Sequence, residues 1–131
     1  MRTLHKTFLL ALAVATLTTA CGKGGDGEKK TAVSEAALAE AKTVFAQRCA
    51  TCHGPEGKGD GPAGQALNPK PRTFADKDWQ AKVTDDHLRK IIVGGGPAVG
   101  LSPMMAPNPD LKEKPQVIDG LVQIVRDLGG K

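Results

Sequence analysis

Glycine and proline divide this chain before any other feature does. Residues 54–72 contain five glycines and four prolines, and residues 94–109 contain four of each. Breakers at that density do not propagate a helix or a strand, so both stretches read as long loops, the first with room for a short helical turn over residues 63–67. Helical periodicity survives only outside them. Ala37, Leu38, Ala41, Val44 and Phe45 recur at three- and four-residue steps behind Thr31 or Ser34 as a cap, which predicts a helix to about Arg48. A short helical turn is expected over residues 75–79. Thr84 then caps a segment with Leu88, Ile91 and Ile92 on one face, closed by Gly94, Gly95 and Gly96. A last helix starts near Pro115, presents Ile118, Leu121, Val122 and Val125, and stops at Gly129. No stretch alternates as a strand and no repeat is present, so the expected fold is all-α, three to five short helices joined by long Gly/Pro loops.

At 131 residues the chain has the size of one domain, but its first residues stand apart. Arg2, His5 and Lys6 precede an apolar run from Phe8 to Leu17, too short to span a bilayer comfortably, and small residues lead to Ala20 and Cys21. Residues 1–20 therefore read as a secretion signal. Thr18, Thr19 and Ala20 before Cys21 resemble a bacterial lipoprotein signal, with Thr18 where that pattern usually has leucine. The resemblance implies a lipid on Cys21; the alternative is ordinary cleavage leaving a free thiol. Residues 22–30 hold no apolar side chain, so 21–33 reads as a flexible tether and 34–131 as the folded domain. Without Arg2 and Lys6, sixteen basic side chains face fourteen acidic ones, a net charge of +2. They are scattered singly, without the basic clustering of a nucleic-acid surface.

Behind the signal the only aromatic residues are Phe45, Phe74 and Trp79. That is little bulk for a close-packed interior, and something other than side chains is expected to fill it. Cys49-Ala50-Thr51-Cys52-His53 says what. Two thiols at this spacing can add to the two vinyl groups of a haem, and the adjacent imidazole can reach its iron. A buried haem contributes several hundred Å² of apolar surface, on the order of 10 kcal/mol at roughly 25 cal/mol per Å². A thioredoxin-like dithiol would need the pair at the start of a helix in a βαβ context, and a zinc site would need more ligands than Cys49, Cys52 and His53. His87, among Asp85, Asp86, Arg89 and Lys90, reads as a surface histidine.

The order helix, motif, Gly/Pro loop, helix, Met-bearing loop and final helix resembles the class I (monohaem) cytochrome c family over residues 34–128. Gly57-Lys58-Gly59-Asp60-Gly61-Pro62, Arg72-Thr73-Phe74 and Gly100-Leu101-Ser102-Pro103-Met104-Met105 look like its short bacterial, often periplasmic, members. The resemblance implies one haem c bound covalently by Cys49 and Cys52, with its iron between His53 and a Met thioether. Met104 and Met105 are the candidates, and the family pattern Gly-x-Ser-x-x-Met falls on Met105. The resemblance also implies that His53 gives its second ring N–H to the Pro62 carbonyl, and that Arg72 and Trp79 bond the haem propionates; a solvated Arg and a core Trp are the alternative. Ala41 stands where the family usually places glycine in the first helix, and Gln123 and Ile124 stand near the usual aromatic of the last.

With both axial positions filled the iron can only exchange electrons. The expectation is an electron carrier and not an enzyme: an exported, lipid-anchored, monomeric domain on the periplasmic side that shuttles between redox proteins. The ring is expected to lie among Phe74, Leu88, Ile92 and Leu101. The competing readings are an open-site haem enzyme or gas sensor, and a cytochrome subunit fixed within a respiratory complex.

Overall fold

A computed structural model describes residues 32–130. The signal segment, Cys21 and most of the tether lie outside the described residues. Helix α1 (Glu35–Val44) begins at Ser34, whose hydroxyl accepts from Ala37 N at 3.3 Å, and it buries Ala37, Ala41 and Val44. The chain does not leave the helix at Arg48 as its periodicity suggested. It widens into a π-helical turn, Phe45–Cys49, and tightens again as α2 (Ala50–His53). Gly54, at φ 80°, is the first residue whose backbone departs, and its N–H still donates to Ala50 O at 2.8 Å. Both cysteines and the histidine therefore ride on helical backbone.

The loop that follows is sewn to the motif rather than wrapped loosely about it. Gly59 N donates to His53 O at 2.7 Å, Gly61 N to Cys52 O at 3.1 Å and Ala63 N to Thr51 O at 3.0 Å. A Cβ on Gly61 would stand 2.5 Å from the carbonyl oxygens of both Ala50 and Thr51, so only glycine permits this approach. Residues 62–66 form turns, not helix.

Helix α3 (Lys77–Lys82) starts two residues later than expected, because Asp76 is its cap and accepts from Trp79 N at 3.0 Å. Helix α4 (Asp85–Gly94) starts at Thr84, which accepts from His87 N at 3.1 Å, and ends at Gly95 with φ 71°. The second Gly/Pro loop is less irregular than expected. It contains two 3₁₀ turns, Gly96–Val99 and Pro109–Glu113, each with proline in its first turn, where the missing N–H costs nothing. Helix α5 (Pro115–Gly129) buries Val117, Ile118, Leu121, Val122, Val125 and Leu128 and packs against α1, α4 and α3. Among the described residues there is no strand, and no helix is long and apolar enough to cross a membrane.

Candidate haem site

Cys49 closes the π-helical turn and Cys52 lies on α2, so the two thiols stand one helical turn apart; neither is in a disulfide. Both are half-buried, and burial pushes the Cys49 thiol up to about 11. A redox dithiol needs a thiolate near neutral pH, the opposite displacement, which weighs against thioredoxin-like chemistry. Among the described residues no three His, Cys, Asp or Glu side chains come together as metal ligands, so a tetrahedral zinc site lacks its donor set.

His53 is held on two sides. Its Nδ1 lies 3.0 Å from Arg72 O, and its ring stacks on Phe74 with centroids 4.7 Å apart and planes inclined by 20°. The acceptor is thus the Arg72 carbonyl and not that of Pro62. Gly61 N is tied back to Cys52 O, which takes Pro62 alongside the motif backbone, whereas Phe74 N donates to Gly57 O at 2.6 Å and draws residues 72–74 across the imidazole. With Nδ1–H donating to a carbonyl, Nε2 is the nitrogen left to bind a metal. Burial holds the His53 pKa below the ordinary imidazole value, with the Arg72 carbonyl opposing, so the neutral, ligating form is favoured.

Arg72 and Trp79 lie together. The Arg72 guanidinium is 5.7 Å from the centre of the Trp79 ring and its Nη1 is 3.5 Å from Asp76 Oδ2, while Trp79 stacks on Phe74 at 5.9 Å. Arg72 is exposed and Trp79 half-buried.

Ser102 shapes the methionine loop: its carbonyl accepts from Met105 N and its hydroxyl from Met104 N, each at 3.3 Å. Gly96 N donates to Met105 O at 2.9 Å, so Met105 is anchored to the start of its own loop and is half-buried. Met104 is 59% exposed and Leu101 56%. The donor set fits a haem: two unpaired thiols one turn apart, an imidazole with Nε2 available, and a methionine loop whose apolar side chains offer surface to a ring. Phe74, Leu88 and Ile92 are buried as expected, and Leu101 is not.

Three residues that fasten this frame were not anticipated. Asn108 donates from Nδ2 to Ile92 O at 2.8 Å and from its backbone N to Val93 O at 2.9 Å, pinning the end of the methionine loop to α4. Arg48, one residue before Cys49, donates to Asn108 Oδ1 and to both Asp110 carboxylate oxygens at 2.9–3.3 Å. Gln80 joins Phe74 O to α5. A lone Asn between Pro107 and Pro109 was the only hint in the sequence; the Arg48 contacts span 60 and 62 residues and the Gln80 contact with α5 spans 45.

A family model described as Cytochrome c matches residues 38–127. Comparison with curated proteins finds no match.

Proposed function

The chain belongs to the cytochrome c family, which carries covalent haem c, and from that premise we propose that it is a one-electron carrier whose haem is attached at Cys49 and Cys52 and ligated by His53 and Met105. When bound, the haem supplies an Fe(III)/Fe(II) couple. The observation that carries the reading is the state of His53: stacked on Phe74, donating Nδ1–H to Arg72 O, and kept neutral by burial, it presents Nε2 in a fixed direction. Met105 is favoured over Met104 because its backbone is bonded on both sides, to Ser102 O and Gly96 N, and it is the less exposed of the two. With His53 and Met105 both holding the iron, the thioether would favour Fe(II) and no position would be left for a substrate. Arg72 and Trp79, which lie together beside Phe74, stay in this reading as the polar groups that would bond the propionates.

The leader sequence supports export, with Cys21 as a lipid-anchoring residue and residues 21–33 as a tether at the periplasmic face of a membrane, the domain working as a monomer between redox proteins. Small, weak interfaces that release quickly suit such an exchange.

The test is a reduced-minus-oxidised optical spectrum of the mature holoprotein beside its Met104→Ala and Met105→Ala variants. The expected result is a c-type spectrum in all three, with the weak red sulfur-to-iron band lost only in Met105→Ala. No haem spectrum at all overturns the attachment, and a high-spin spectrum that shifts with carbon monoxide overturns the closed, carrier-type site.

A further inference from the structure

One short piece of backbone orients the His53 imidazole, and that piece is itself clamped from α3 and α5. Arg72 O takes the Nδ1–H at 3.0 Å, and two residues later the Phe74 ring covers the imidazole face. Phe74 is held at both of its backbone polar groups. Its N–H donates to Gly57 O at 2.6 Å, and its carbonyl accepts from Gln80 Nε2 at 2.9 Å. The same Nε2 donates to Val125 O on α5 at 2.9 Å, and Gln80 Oε1 accepts from Arg126 Nη1 at 2.8 Å.

Arg126 has no slack either. It donates to Asp85 Oδ1 through Nε and Nη2 at 2.9 and 2.8 Å, to Val83 O at 2.7 Å and to Gln80 O at 2.9 Å. A primary amide is the side chain this position calls for: two N–H groups meet two carbonyls, and one oxygen meets a guanidinium. Glutamate keeps the last contact and turns the first two into repulsions. The α5 backbone closes the remaining space, since a Cβ on Gly129 would collide with Gln80 Nε2.

We propose that Gln80, locked by Arg126, is a positioning residue for His53, holding residues 72–74 so that the Arg72 carbonyl and the Phe74 ring together fix the imidazole's rotation and its hydrogen bond. The inference rests on the reading of His53 as the iron ligand. The acceptor on Nδ1 sets how strongly the imidazole donates through Nε2, so a clamp on that acceptor reaches the metal without touching it. It also explains why residues so far apart in sequence commit every polar atom of one glutamine.

The experiment is proton NMR of the oxidised holoprotein, reading the pattern of hyperfine-shifted haem methyl signals, which reports the imidazole plane, and the solvent exchange of His53 Nδ1–H. Gln80→Met and Gln80→Glu are compared with Arg89→Met, which removes the 2.7 Å Arg89–Asp119 bond between α4 and α5. Both Gln80 variants are expected to rearrange the methyl pattern and speed Nδ1–H exchange roughly tenfold, the weight of one lost hydrogen bond. Arg89→Met is expected to lower Tm with both signals unmoved. If Gln80→Met does not fold, Gln80→Glu, which keeps the Arg126 contact, carries the test. Gln80 variants that lose Tm while the methyl pattern and the exchange rate stay at wild-type values would reduce Gln80 to a structural residue and overturn the proposal. Absence of hyperfine-shifted His53 ring signals in the wild type overturns the ligand reading itself, and this proposal with it, before any variant is made.

Discussion

Phe74 is the side chain on which most of the site converges. It is 7% exposed, it stacks on the rings of both His53 and Trp79, and its backbone joins the loop after the motif to Gln80 of α3, whose side chain reaches α5. Truncating a buried aromatic removes its transfer free energy and leaves a cavity, so Phe74→Ala should cost about 3–5 kcal/mol in guanidinium unfolding of the holoprotein. A cost below about 1 kcal/mol would mean that the ring is not part of the packed interior. At this scale the resemblance misled in one place, by naming the Pro62 carbonyl as the acceptor for His53. A run of glycines and prolines encodes that a loop exists, but not which of its carbonyls arrives beside a ring.

At the scale of elements, the crossing of α1 and α5 inverts the expected distribution of small residues. Ala41, fully buried on α1, meets Gly120 on α5, and a Cβ built on Gly120 would stand 2.8 Å from the Ala41 Cβ. The close approach is kept, with the glycine on the opposite helix. Gly120→Ala should therefore destabilise by about 1–3 kcal/mol through overpacking, even though alanine is the better helix former. Adding Ala41→Gly should recover part of that loss, and a double-mutant cycle in denaturant would read the coupling; strictly additive effects would mean that the two helices adjust independently. The caps give a second check. Thr84 accepts from His87 N at 3.1 Å, so Thr84→Ala should cost about 1 kcal/mol, read from the shift of the unfolding midpoint.

For the molecule as a whole, the distribution of charge around the site bears on how a partner approaches. Residues 61–69 and 94–108 contain no ionisable side chain. The first run is bonded to the motif through Thr51 and Cys52, and the second ends at Asn108, which accepts from Arg48, the residue before Cys49. Charge-steered association falls by an order of magnitude or more as salt rises. A partner meeting these neutral loops should instead show bimolecular electron-transfer rates that change less than about threefold over the same range in stopped-flow mixing. A steep fall would place the docking surface on the charged remainder of the domain.

By itself the sequence determined the all-helical class, the cap at Thr84, a first cap at Thr31 or Ser34, the buried faces of α1, α4 and α5, and the chemistry of residues 49–53. These are local properties: a spacing, a periodicity, or a side chain beside the backbone it caps. Tertiary structure alone decided the rest. It carried the first helix through a π-helical turn to His53, gave the imidazole the Arg72 carbonyl, set Gly120 against Ala41, and brought Gln80, Arg126, Arg48 and Asn108 to the frame of the site. Each of these depends on where a distant segment comes to lie once the apolar faces pack, and no spacing within the chain records that position.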